Sequence, residues 1–171
     1  GLSVTVLSNS EQRFLSYKAL AAMEDNFNKI IEKGTAILDL DGGSFQISLF
    51  DKDTLVSTQN LRLGVLRLQE LLNHLNAGST QMERLVDELA TAQLDDYKKL
   101  YLKDREIKNI IIVDDYLSPW AVRKAHERGE VNAVVDRKAF SQLMEALRTK
   151  GTTELAKRMD IAEEKVPLVY I

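Results

Sequence analysis

Apolar positions along the chain switch between a period of two and a period near 3.6, and the switches predict its elements. Leu2, Val4 and Val6 alternate with Ser3 and Thr5, the pattern of a short strand. Ser8-Asn9-Ser10 follows with good N-cap residues, predicting a helix to about Lys33 that Gly34 stops. Thr35-Ala36-Ile37-Leu38 is a short apolar strand ending at Asp39, and Gln46-Ile47-Ser48-Leu49-Phe50 alternates strictly. A turn at Asp51-Lys52-Asp53 leads into a third strand from Thr54 to Thr58, so this part reads as an antiparallel meander.

Beyond it, Asn60 is suited to cap a helix carrying Leu63, Leu66, Leu71, Leu72 and Leu75 and ending at Ala77-Gly78. Thr80 with Glu83 fits a capping box for a second helix, with Met82, Leu85, Val86 and Leu89 on one face. The apolar run Ile107 to Val113 predicts a strand buried on both faces, ending in Asp114-Asp115. Asp136 caps a helix with Phe140, Leu143, Met144 and Leu147 on one side, closed by Gly151. Glu154 to Met159 reads as helical and Val166 to Ile171 as a last strand. The order predicts an α/β, ribonuclease-H-like domain, with a mixed sheet, an antiparallel three-strand meander and flanking helices, over residues 1–171 as one unit.

Composition narrows the function. With 171 residues and 44% hydrophobic content the chain can bury a substantial core. It has no cysteine, which excludes a disulfide scaffold, a thiolate metal site and a cysteine nucleophile. A net charge of −3 and few aromatic residues give no nucleic-acid surface. Apolar runs are far shorter than the roughly 20 residues of a membrane helix, and no targeting segment is visible, so a cytoplasmic protein with no membrane partner is expected. The start at Gly1 rather than Met suggests an excised part of a longer chain.

The densest chemistry lies in Ile37-Leu38-Asp39-Leu40-Asp41-Gly42-Gly43-Ser44-Phe45-Gln46. Carboxylates at a strand end suit Mg²⁺, which prefers hard oxygen ligands and keeps several waters. Gly42 and Gly43 let backbone N–H groups approach a phosphate, and the Ser44 hydroxyl adds a donor. The same residues also suit a plain hairpin turn. His74 and His126 lack ligand-like spacing, and Trp120, in a loop after Pro119, is expected to pack at that loop's base.

From Val4 to Leu66 the chain is similar to the exopolyphosphatase and guanosine pentaphosphate phosphatase (Ppx/GppA) family. Leu7-Ser8-Asn9-Ser10-Glu11-Gln12-Arg13 stands where that family has Ile-Ser-Gly-x-Glu-Glu-Ala. Asp39 to Gln46 stands for Asp-Ile-Gly-Gly-Gly-Ser-Thr-Glu, and Leu63-Gly64-Val65-Leu66-Arg67 for Leu-Gly-x-x-Arg. The resemblance implies the second lobe of a two-lobed, actin-like phosphatase that cuts terminal phosphoanhydride bonds of polyphosphate or guanosine pentaphosphate. Its partners would be that phosphorylated ligand and the missing N-terminal lobe, and a homodimer stays open.

In this alignment Asp39 would organise Mg²⁺ and water, Asp41, Gly42, Gly43 and Ser44 would form the phosphate loop, and the general base falls on Gln12. A neutral amide positions water but cannot take its proton, and general-base catalysis is worth about 10²–10⁴-fold. Glu11 is adjacent, about 100° away around a helix. Further departures are Asp41 for the first loop glycine, Gln46 for the closing glutamate, and Asp114-Asp115-Tyr116-Leu117-Ser118-Pro119 for a later glycine-rich loop.

Two other readings compete. A non-catalytic module that senses phosphate or a nucleotide fits the loss of the base at Gln12. A haloacid-dehalogenase-type phosphatase fits Asp39-Leu40-Asp41-Gly42, with Asp39 as nucleophile and Asp41 as acid, but requires a parallel sheet.

Overall fold

The computed structural model describes residues 1–75, 79–115, 117–131 and 133–170. Helices α1 (Asn9–Met23) and α2 (Phe27–Ile31) precede strands β1 (Thr35–Leu40), β2 (Phe45–Asp51) and β3 (Thr54–Leu61). Then come α3 (Val65–His74), α4 (Ser79–Tyr97) with a π-helical turn at Lys98–Leu102, and β4 (Asn109–Asp114). Helices α5 (Leu117–Glu127), α6 (Arg137–Arg148), α7 (Thr152–Met159) and α8 (Val166–Tyr170) complete the chain.

The sheet runs β3-β2-β1-β4, with β1 antiparallel to β2, β2 antiparallel to β3, and β1 parallel to β4. This is the α/β mixed sheet with an antiparallel meander that the ribonuclease-H-like pattern predicts. The β2–β3 turn holds Lys52 and Asp53 at φ 50° and 60°, the left-handed pair that a tight hairpin needs to match strand twist. Gly34 lies at φ 56°, and a Cβ there would stand 2.3 Å from the Glu106 carbonyl oxygen. Its own carbonyl accepts from the Lys108 and Asn109 amides, which aligns β4 with β1.

α1 covers one sheet face through Arg13, Ser16, Tyr17 and Leu20, spaced i, i+3, i+4, i+7. Tyr17 and Leu20 pack on a core of Phe27, Ile31, Ile37 and Phe50, with Tyr17 edge-on to Phe50 at 5.4 Å. On β3, Ser57 and Gln59 bond the hydroxyls of Tyr97 and Tyr101 at 2.9 and 3.0 Å. A second core joins α5, α7 and α8 through Trp120, Leu155, Ala156, Met159 and Val166.

Several expectations change. Residues 2–7 form no strand and are exposed, and among the described residues no strand pairs with them. The first helix breaks at residues 24–26 into α1 and α2. β3 runs through Asn60 to Leu61, so Gly64, not Asn60, caps α3. β4 is an edge strand, not one buried on both faces, and Ile110 is 60% exposed. Trp120 is buried on helix α5, not in a loop, with its Nε1 donating to the Arg158 carbonyl at 3.2 Å. Asp136 does cap α6, accepting from the Ala139 amide at 2.8 Å, while Gly151 starts α7 instead of closing α6.

The last expected strand is helix α8. Pro167, whose missing N–H is harmless in a first helical turn, disfavours a paired strand. The fully buried Val166 and partly buried Val169 pack into the helical core. The helix end expected at Ala77-Gly78, Tyr116, Ile171 and the side chains of Thr80, Met82, Glu83 and Leu147 lie outside the described residues. No described helix is long and apolar enough to cross a membrane.

Candidate functional site

The carboxyl ends of β1 and β4 lie side by side, Asp39 opposite Val113 and Leu40 opposite Asp114. From there the chain makes the tight loop Asp41-Gly42-Gly43-Ser44, closed by the Asp41 amide donating to the Ser44 carbonyl at 3.0 Å. The first turn of α3 seats this loop. The Val65 amide donates to the Asp41 carbonyl at 3.0 Å, and the Leu66 and Arg67 amides donate to the Gly42 carbonyl at 3.0 and 3.2 Å. Arg67 Nε reaches the Gly43 carbonyl at 3.2 Å. A Cβ on Gly64 would stand 2.2 Å from Gly43 C and Ser44 N, so only glycine allows this approach. The Leu63-Gly64-x-x-Arg67 motif is therefore the seat of the loop.

Within the loop, Asp41 turns its carboxylate inward. Its Oδ1 accepts from the Gly43 amide at 2.7 Å and the Ser44 amide at 2.5 Å, and Ser44 Oγ lies 3.3 and 3.2 Å from the two carboxylate oxygens. The loop's amides and the Ser44 hydroxyl thus hold a carboxylate. A related arrangement follows β4, with the amides divided between the two carboxylate oxygens. There Asp114 accepts from the Leu117 amide at 2.5 Å, the Ser118 amide at 2.9 Å and Ser118 Oγ at 2.5 Å, capping α5.

Asp39 is half-buried and nearly unpartnered in comparison, with one long hydrogen bond from Ser16 Oγ at 3.4 Å. Burial pushes its carboxyl above the usual range, the charge of Asp41 adds to this, Ser16 opposes it, and Asp115 pushes the same way as Asp41. Gln12 lies one helical turn before Ser16, whose hydroxyl bonds Asp39, and is exposed. Glu11 is committed elsewhere. Its Oε2 accepts from the Ser8 amide at 2.8 Å and Ser8 Oγ at 2.7 Å in a capping box, and these bonds hold its carboxyl below the usual range. Both bonds go to one carboxylate oxygen, tying Glu11 to the start of α1 and making it a weaker base.

Gln46 stands opposite Asp39 on β2, so the two share a sheet face. It is 2% exposed, and its Oε1 has no protein partner. A buried carbonyl oxygen is rarely left unsatisfied, so Gln46 Oε1 is an acceptor open to a further partner. Sequence reading placed Gln46 among the departures and missed Ser16, whose signal was its i+4 spacing from Gln12.

Neither a protein-family model nor a curated protein matches the sequence. Solved structures do match. An Aquifex aeolicus Ppx/GppA family member superposes with a TM-score of 0.66 at 13% identity, over 99% of this chain and 54% of that one. The type II variant of the Aquifex aeolicus Ppx/GppA phosphatase gives 0.61 at 13% identity, over 90% and 50%. An exopolyphosphatase from Cytophaga hutchinsonii gives 0.56 at 14% identity, over 81% and 46%. The fold is that of one half of a Ppx/GppA phosphatase. The chain spans about half the length of the Ppx/GppA structures it matches.

The Ppx/GppA fold also orders the competing readings. The antiparallel pairing of β1 with β2 is not the parallel sheet that a haloacid-dehalogenase-type site at Asp39 requires. Among the described residues no group of three or more His, Cys, Asp or Glu side chains could hold a metal by itself. Mg²⁺ commonly takes one or two carboxylates and completes its shell with water and substrate phosphate. Asp39 and the unsatisfied Gln46 Oε1 are hard oxygen donors of the right chemistry.

Proposed function

We propose that the chain is one lobe of an exopolyphosphatase-type phosphatase that acts, with Mg²⁺, on terminal phosphoanhydride bonds of polyphosphate or guanosine pentaphosphate. A second lobe would complete the cleft. The observation that carries this reading is the juxtaposition of half-buried Asp39 with a glycine loop seated on the first turn of α3. In this reading Asp39, with Gln46 Oε1, holds Mg²⁺, which when bound supplies charge neutralisation and a polarised water. Gly42, Gly43 and Ser44 orient the phosphate, and Gln12 positions the attacking water without taking its proton.

A second reading has its own support. Asp41 fills the loop and Gln12 is neutral, which favours a module that binds a phosphorylated ligand without cutting it. Phosphate release by the full-length protein from polyphosphate and from guanosine pentaphosphate, with Mg²⁺ and with EDTA, separates the two. Metal-dependent release supports the hydrolase. Binding without release supports the sensor, and neither binding nor release sinks both.

A further inference from the structure

We infer that Asp41 is a built-in occupant of the loop, standing where an oxyanion would stand, so that phosphate enters only in exchange with its carboxylate. This deepens the phosphate-loop reading proposed above and rests on it.

Four observations support the inference. First, the Gly43 and Ser44 amides converge on one carboxylate oxygen, Asp41 Oδ1, at 2.7 and 2.5 Å, with Ser44 Oγ close by. Convergent amides on one anionic oxygen are how backbone concavities hold phosphate. Second, the neighbouring α3 amides cannot substitute as donors, because Val65, Leu66 and Arg67 give theirs to the loop carbonyls. Third, the Asp41 backbone is held on both sides, its N–H by the Ser44 carbonyl and its C=O by the Val65 amide. Rotating its side chain outward therefore frees the amides while the loop stays folded. Fourth, Asp39 stands two residues before Asp41 at the end of β1, so a bare phosphate arriving here meets two carboxylates as well as the loss of a charge-assisted contact.

The ligand class follows. A phosphoanhydride that carries its own divalent cation gives the displaced Asp41 carboxylate a partner, whereas free phosphate leaves it facing another anion. Metal-bound polyphosphate should therefore open the loop more readily than inorganic phosphate.

The test is calorimetric titration of the full-length protein with tripolyphosphate and with inorganic phosphate, each in EDTA and in Mg²⁺, for wild type, Asp41→Ala and Asp41→Asn. Residue 41 is not among the non-glycine positions with positive φ, so alanine fits the backbone, and Asp41→Gly serves as a second variant should alanine unfold it. Charge-assisted hydrogen bonds are roughly twice as strong as neutral ones, so Asp41→Ala should tighten metal-free tripolyphosphate binding by about tenfold or more. Asp41→Asn, which keeps the acceptor oxygen, should stay nearer wild type, and Mg²⁺ should help wild type more than Asp41→Ala. Equal affinity of wild type and Asp41→Ala overturns the occupant while leaving the phosphate loop standing. Equal gains in the Ala and Asn variants would reduce Asp41 to simple repulsion and overturn it as well. No binding by any variant removes the loop reading together with the inference.

Discussion

Glu11 lies in the first turn of α1 and Asp39 faces the middle of that helix through Ser16, and their surroundings push the two carboxylates in opposite directions. Glu11 accepts two hydrogen bonds from Ser8 in open solvent, whereas Asp39 is half-buried with one long contact. A raised folded pKa on an acid means that the native state holds its proton more tightly than the unfolded chain, so stability falls as pH rises through that range. In metal-free buffer, Asp39→Asn should therefore raise the melting temperature at neutral pH, with the gain vanishing below the ordinary carboxylate range. A melting series from pH 3 to pH 8 checks this, and an Asn variant less stable than wild type at neutral pH would contradict it. The same variant, like Asp39→Ala, should lose Mg²⁺-dependent phosphate binding in the full-length protein. Gln12→Glu should raise metal-dependent phosphate release, by up to about the 10²–10⁴-fold of general-base catalysis. No gain at position 12 with unchanged binding at position 39 would refute the site assignment.

At this scale the sequence pattern placed Asp39 near the end of a strand and Asp41, Gly42, Gly43 and Ser44 in the turn after it, and the backbone runs that way. It could not tell what Asp41 bonds. Whether a loop carboxylate faces out to a cation or in to its own amides depends on side-chain rotation, which residue spacing does not encode.

Among the elements, α3 and the loop make one packed unit, and Gly64 is its tightest point. Gly64→Ala would push a methyl group into backbone rather than into a flexible side chain, so it should cost about 1–3 kcal/mol or more. Gly43→Ala meets only Asp41 Oδ1 at 3.7 Å and should be tolerated. Urea unfolding of both variants gives the comparison, and equal losses would argue against the seat.

The meander was legible because alternation and the Asp51-Lys52-Asp53 turn are local signals, and it pairs from Leu40–Phe45 to Asp51–Thr54 with one register shift between Leu49 and Phe50. Elements whose state depends on distant neighbours were not. An apolar run such as Ile107 to Val113 reads as buried on both faces because sequence does not show what packs beside it, yet among the described residues β4 lies at the sheet edge. Val166 to Ile171 is too short for periodicity to separate strand from helix, and contact with α5 and α7 decides it.

For the molecule as a whole, two separate cores matter. The sheet with α1 and α2 shapes the site, while Trp120, Leu155, Ala156, Met159 and Val166 form a helical cluster apart from it. Leu155 is fully buried, and Leu155→Ala should destabilise by about 2–5 kcal/mol. Phosphate affinity per folded molecule should not change, and a parallel loss of affinity would show that the cores are coupled. The ribonuclease-H-like order was readable because it depends on the succession of elements.

The carboxylate folded into the loop has one more consequence, which belongs to genetics. Aspartate and glycine codons differ only at the middle base, so the gene stands one nucleotide from the open loop. A randomly mutagenised library selected for tighter polyphosphate binding should return Asp41→Gly in its first round, ahead of any solution that needs two changes.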